Sequence, residues 1–186
     1  IMESQVKQYI SSINSLYKGN ARSKDLFYNG QYDFLLREGR LFKSEKLTKE
    51  EQSAVDSLFK RFIDSHGTPE YKQCFYNAQI ALHFDCDNVF RYSEGYAMSS
   101  VGLPMAHGFL TINEKVVDLT WRNEEGEFFV GETAGEYFGV RFDTQDILKA
   151  MLDTEMAQSH IECYWNKGLL FRQKFNDDKQ YYIPNI

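Results

Sequence analysis

An α+β domain is the fold class this sequence predicts, and three patterns predict it: amphipathic helical runs before residue 66, a short apolar run opening at Cys74, and extended runs at 91–99, 107–112 and 115–121. N-terminal helices and a Cys-bearing helix are expected to pack on an antiparallel sheet. The 186 residues, 42% of them hydrophobic, suffice for one substantial core and fall short of two ordinary domains. A single domain over 1–186 is therefore expected, with a helical cap segment over 1–66, a core over 67–142, and a C-terminal helix and strands over 143–186.

Taken in order, Val6, Tyr9, Ile10, Ile13, Leu16 and Tyr17 recur at helical spacing, so Met2 to Tyr17 predicts an amphipathic helix that stops at Lys18-Gly19-Asn20. Residues 25–42 mix aromatics with glycines, and their periodicity does not separate helix from irregular structure. Thr48 followed by Glu51 has the capping-box spacing, and Val55, Leu58, Phe59, Phe62 and Ile63 then form one apolar face that ends at His66-Gly67. Two helices with one apolar face each are expected to cover one another.

After Gly67-Thr68-Pro69 the run QCFYNAQIALH predicts a buried helix beginning near Cys74. HGFLTI and KVVDLTW, joined by Asn113-Glu114, have the form of a hairpin. Asp143 caps a further helix through Ile147, Leu148, Met151 and Leu152, and the partly alternating tail from Ser159 predicts one or two more strands.

Composition narrows the function. A net charge of -6 with scattered Lys and Arg leaves no basic stripe for nucleic acid, and no run of 18 apolar residues is present to span a membrane. Three cysteines without a CxxC pair fit a reducing compartment, so a cytoplasmic location is expected, and IMESQVKQYI lacks the pattern of a secretory signal.

The chemistry centres on Cys74, His107 and Asp118 in that order. A thiol is a poor nucleophile until deprotonated, and the helix start at Cys74 supplies N–H groups and a dipole that favour the thiolate and later an oxyanion. His107 would take the thiol proton and return it to a leaving amine, while Asp118 would hold the imidazole in the useful tautomer. Adjacent strands lie roughly 4.8 Å apart, so a turn at Asn113-Glu114 brings His107 beside residues 119–120, or beside Asp118 after a one-residue change of register. Gln73 and Tyr71, just ahead of Cys74, are candidate substrate or oxyanion contacts. Trp121 is a candidate shield or substrate platform.

The runs CFYNAQIAL, FRYSEGYAMSS and HGFLTINEKVVDLTW resemble the transglutaminase-like superfamily pattern: Cys opening a helix, a Gly-Tyr strand (Gly95-Tyr96), a strand His, and Asp before Thr (Asp118-Leu119-Thr120). EGYA, His-Gly, VVDxTW and YFGVxF, the last at Tyr137 to Phe142, are also similar to those of small bacterial and phage proteins of that type. Leu119 stands where Pro is commoner and Gly108 where Ala is usual. The resemblance covers about residues 70–122 and implies a Cys-His-Asp hydrolase or acyltransferase acting on a protein, peptide or amide substrate, with no cofactor or metal. It also includes inactive relatives, so a protein-binding module is the alternative.

Other residues carry weaker signals. His83, Asp85, Cys86 and Asp87 lack a second ligand pair for zinc, His160 and Cys163 would lie on opposite faces of a strand, and Asn123 to Glu127 has the form of a solvated loop. No glycine-rich phosphate loop follows a strand. Asp118 itself has a plain structural alternative, that of starting a turn through its side chain.

Overall fold

The computed structural model describes residues 4–17, 26–162 and 169–176, and every count below refers to those residues. Five α-helices accompany a six-stranded antiparallel sheet: α1 (Gln5–Tyr17), α2 (Gln31–Glu38), α3 (Lys49–His66), α4 (Cys74–Ala81) and α5 (Thr144–Thr154), with β1 (Arg40–Leu41), β2 (Arg91–Met98), β3 (Pro104–Ile112), β4 (Lys115–Arg122), β5 (Phe128–Val130) and β6 (Tyr137–Arg141). The strand order β1-β6-β2-β3-β4-β5 puts β2 and β3 at the centre.

Strand alternation sorts the core into two layers. Tyr92, Tyr96, Leu110, Val117, Leu119, Phe138 and Val140 join Val6, Ile10, Phe34, Val55, Leu58, Ala78 and Ile147 of the helices in the main core. Their strand neighbours Ala97, Phe109, Val116 and Tyr137 face the other way, into a smaller cluster with Phe42 and Ala134. His107 and Asp118 are two residues from Phe109 and Val116 respectively, so both belong to this second face. Between β2 and β6, Gly95 pairs with Gly139, and a Cβ on Gly95 would overlap the Phe138 carbonyl, so only glycine allows this close approach.

The capping box at Thr48 forms: Glu51 N–H donates to Thr48 Oγ1 at 3.2 Å and Thr48 N–H to Glu51 Oε2 at 2.7 Å, and α3 ends at Gly67 with φ 78°. Glu51 also accepts from Asn113 Nδ2 and Lys115 Nζ, each at 2.8 Å, tying α3 to the hairpin. At that turn Asn113 and Glu114 both have positive φ, 49° and 66°, the backbone a two-residue hairpin needs.

Three expectations need correction. Helices α1 and α3 do not form a mutual cap: α1 lies on α2, β2, β3 and β6, while α3 lies on α4 and the 3-10 turn Leu82–Phe84. Glu136 is the reason, since its carboxylate takes Ser4 Oγ–H and Val6 N–H and docks the start of α1 beside β6; Leu16 and Tyr17 stay exposed. Segment 1–66 is not wholly helical either, because β1 pairs with β6.

The third correction concerns the tail. No strand forms in its described part, where residues 169–171 make a 3-10 turn; residues 163–168, with Cys163, lie outside the described residues. The buried Glu94 carboxylate takes the N–H groups of His160 (2.8 Å) and Ile161 (3.0 Å), the Tyr92 hydroxyl (2.8 Å) and the Ser159 hydroxyl, so those backbone donors are used on a side chain and not on a ladder. Burial outweighs these donors and pushes the Glu94 pKa up to about 7. A raised carboxyl pKa contributes stability that is full below the ordinary 4.5 and lost as pH rises through about 7. Glu94→Ala leaves four buried donors unanswered, and urea unfolding at pH 6 is expected to show a loss of about 3 kcal/mol, with faster hydrogen exchange at His160 and Ile161. Unchanged stability would remove Glu94 as the anchor of this segment.

Candidate active site

The β3–β4 ladder pairs only Leu110–Ile112 with Val117–Lys115. Extended by register, that ladder would set Asp118 opposite Phe109, so Asp118 and His107 become diagonal neighbours on one face with no slip required. Instead of continuing, β4 bends. Asp118 Oδ1 accepts the N–H groups of Thr120 (2.7 Å) and Trp121 (3.2 Å), a side-chain turn inside the strand, and the β4–β5 register jumps between Val117 and Arg122. This bend brings Trp121, which strict alternation would send to the other face, onto the imidazole: the rings of Trp121 and His107 stack with centroids 4.0 Å apart.

The other carboxylate oxygen meets the histidine. His107 Nε2 and Asp118 Oδ2 are 2.7 Å apart, both side chains fully enclosed, and Tyr137 donates its hydroxyl to the same Oδ2 at 2.6 Å. With Nε2 engaged, Nδ1 is the ring nitrogen left for another partner.

The helix layer reaches the same site. Helix α4 packs on both β3 and β4, with its first residue, Cys74, buried at 8% exposure. Cys74 is near enough to His107 for its sulfur to add to the electrostatic environment of the imidazole. Gly108 permits the approach: a Cβ there would stand 2.8 Å from Phe75 Cδ1 and 3.2 Å from Phe75 Cα, so an alanine would press on the residue after the cysteine. Asn77, one turn into α4, donates its amide to Thr120 Oγ1 and to the Glu70 carbonyl, each at 2.9 Å. Lys72, two residues before Cys74, takes the left-handed φ of 66° as the chain turns into the helix.

Burial by itself would lower the His107 pKa. The charge and hydrogen bond of Asp118, joined by those of Cys74, outweigh it and push it up to about 9. The ring therefore holds its proton at neutral pH and presents a cation beside the thiol. Burial first, and then the Asp118 charge, raises the Tyr137 phenol well above its ordinary range, so Tyr137 acts as a donor only.

Comparison with protein-family models, with curated proteins and with solved structures finds no match.

Of the residues named from sequence, Cys74, His107 and Asp118 are brought together, and Trp121 covers the imidazole as a half-buried shield. Gln73 is exposed at the head of α4, its amide 3.5 Å from Glu70 Oε2, and it borders a cavity of about 310 Å³ with Phe62, His66, Tyr76 and Asn77. Tyr71 is engaged elsewhere: the Arg122 guanidinium sits 4.8 Å from its ring and 4.6 Å from that of Phe128, and donates to the Pro69 carbonyl.

Elsewhere, Asp85 spends its carboxylate on the N–H groups of Val89 and Phe90, Cys86 is exposed, and among the described residues no group of three His, Cys, Asp or Glu is placed to hold a metal. No described helix is long and apolar enough to cross a membrane.

Sequence reasoning missed Tyr137 as a site residue and the tie between Asn77 and Thr120. Tyr137 opened the YFGVxF run noted in the sequence, but that run gave it no role at the site, because only the pairing of β6 with β2 brings it near. Asn77 had a signal, a buried polar residue in a largely apolar helical run that also holds Gln79.

Proposed function

We propose that the chain is a cysteine hydrolase or acyltransferase that forms a thioester at Cys74 with an amide, peptide or ester substrate. The observation that carries this reading is the enclosed imidazole, bound by Asp118 at Nε2, with Cys74 at the start of α4 nearby. The resemblance of residues 70–122 to the transglutaminase-like superfamily supports it, as does a cysteine that opens a helix against a sheet bearing His and Asp on neighbouring strands. In this scheme the Cys74 thiolate attacks the carbonyl carbon and N–H groups of the first turn of α4 face the developing oxyanion. His107 then passes its proton to the leaving nitrogen or oxygen, and takes one from water or an amine as that second nucleophile releases the acyl group. No cofactor enters these steps. The protein-binding module is the reading that replaces this one if the thiol proves inert.

Acid-quenched mixtures with p-nitrophenyl acetate test it. The acetyl group is expected on Cys74 after a burst of nitrophenolate, with no burst in Cys74→Ala and a rate at least about 10²-fold lower in His107→Ala. Folded wild-type protein that acetylates no faster at Cys74 than at Cys86 would refute the enzyme.

A further inference from the structure

We propose that Tyr137 is a positioning residue of this site, whose hydroxyl fixes the Asp118 carboxylate and sets how strongly that carboxylate holds the His107 imidazolium; the proposal rests on the role given to His107 above. Asp118 Oδ2 has two donors, His107 Nε2–H at 2.7 Å and Tyr137 O–H at 2.6 Å, while Oδ1 has the N–H groups of Thr120 and Trp121. Four donors on one enclosed carboxylate leave it a single rotation. They also share out its charge, so the strength of one bond depends on the others.

Small residues on β2 leave a path for this phenol. Tyr137 on β6 is registered with Ala97 on β2, and Gly95, two residues earlier, is registered with His107 on β3. Glycine and alanine on that face of β2 let the Tyr137 ring lie across the strand, edge-on to His107 with centroids 5.9 Å apart and to Phe109 at 4.9 Å. The titratable groups facing the imidazole are Asp118 from β4, Cys74 from α4 and, through Asp118, Tyr137 from β6; β2 presents only Gly95 beside it. A phenol that merely filled space would serve equally well as phenylalanine.

Removing the hydroxyl returns negative charge to the Oδ2 that His107 shares, so the imidazolium should be held more tightly. In ¹⁵N-histidine NMR of the full chain, the His107 titration midpoint is expected to rise in Tyr137→Phe by roughly half a unit to one unit. Incorporating 3-fluorotyrosine at position 137 gives a stronger donor of nearly the same shape, and the midpoint should move down. This second measurement stands even where Tyr137→Phe folds poorly. Opposite shifts in the two variants support the proposal. A midpoint unmoved by fluorination, or moved upward, overturns it and leaves Tyr137 a packing residue. The measurement needs no substrate, so a protein that fails to acetylate Cys74 yet shows both shifts loses the acyl-transfer reading and keeps the Tyr137 assignment.

Discussion

Folded protein treated with limiting iodoacetamide at pH 6.5 is expected to carry its label on Cys74, although Cys86 is exposed and Cys74 is buried. An ordinary thiol is only about 1% thiolate at that pH, so accessibility by itself favours Cys86. If the proposed nucleophile is right, the His107 imidazole near Cys74 reverses that order by assisting attack of the sulfur. Cys74 should react roughly tenfold to a hundredfold faster than Cys86, a ratio that collapses to near one in urea. His107→Ala is expected to abolish the advantage, and at pH 6.5 Cys74 should then label more slowly than Cys86, since burial outweighs the help that the start of α4 still gives the sulfur. Preferential labelling of Cys74 that survives His107→Ala would show that the imidazole is not what activates the thiol.

Asp118 carries the other large effect, since it holds both a turn and a charge. Asp118→Ala strips the acceptor from His107, Tyr137, Thr120 and Trp121 at once, and a loss of about 4 kcal/mol in urea unfolding is expected. Asp118→Asn is milder: its carbonyl can still take the Thr120 and Trp121 N–H groups, whereas its amide N–H₂ meets two donors at the other side. pH separates the charge from the turn. The His107 pKa is raised from 6.5 to about 9, so the ion pair's stabilisation is complete below 6.5 and lost as pH rises through about 9. Glu94 has the same sign, but its contribution is spent by about pH 7. The wild type is therefore expected to lose about 2 kcal/mol between pH 7 and 9.5, and Asp118→Asn very little over that interval. A wild-type curve as flat as that of the Asn variant would mean that no buried ion pair forms.

What the sequence by itself determined is local. Thr48 and Glu51 define a helix start through bonds that span three residues, Asn113-Glu114 define a hairpin through two positive φ angles, and Asp143 caps α5 through its own neighbours. The order Cys74, His107, Asp118 was legible for the same reason, each sitting in a short element of recognisable type. Asp118 forms the turn with one carboxylate oxygen and holds His107 with the other. Register and layer were decided only by the tertiary structure. The bend in β4 that brings Trp121 onto His107, and the docking of α1 on Glu136 in place of α3, depend on bonds between distant parts of the chain or on a broken alternation. Tyr137 could not be found from its neighbours, and neither could the anchoring of residues 159–161 on Glu94. Side-chain periodicity reports which face a residue takes within its own element, and only the pairing of elements determines which buried donor meets which acceptor.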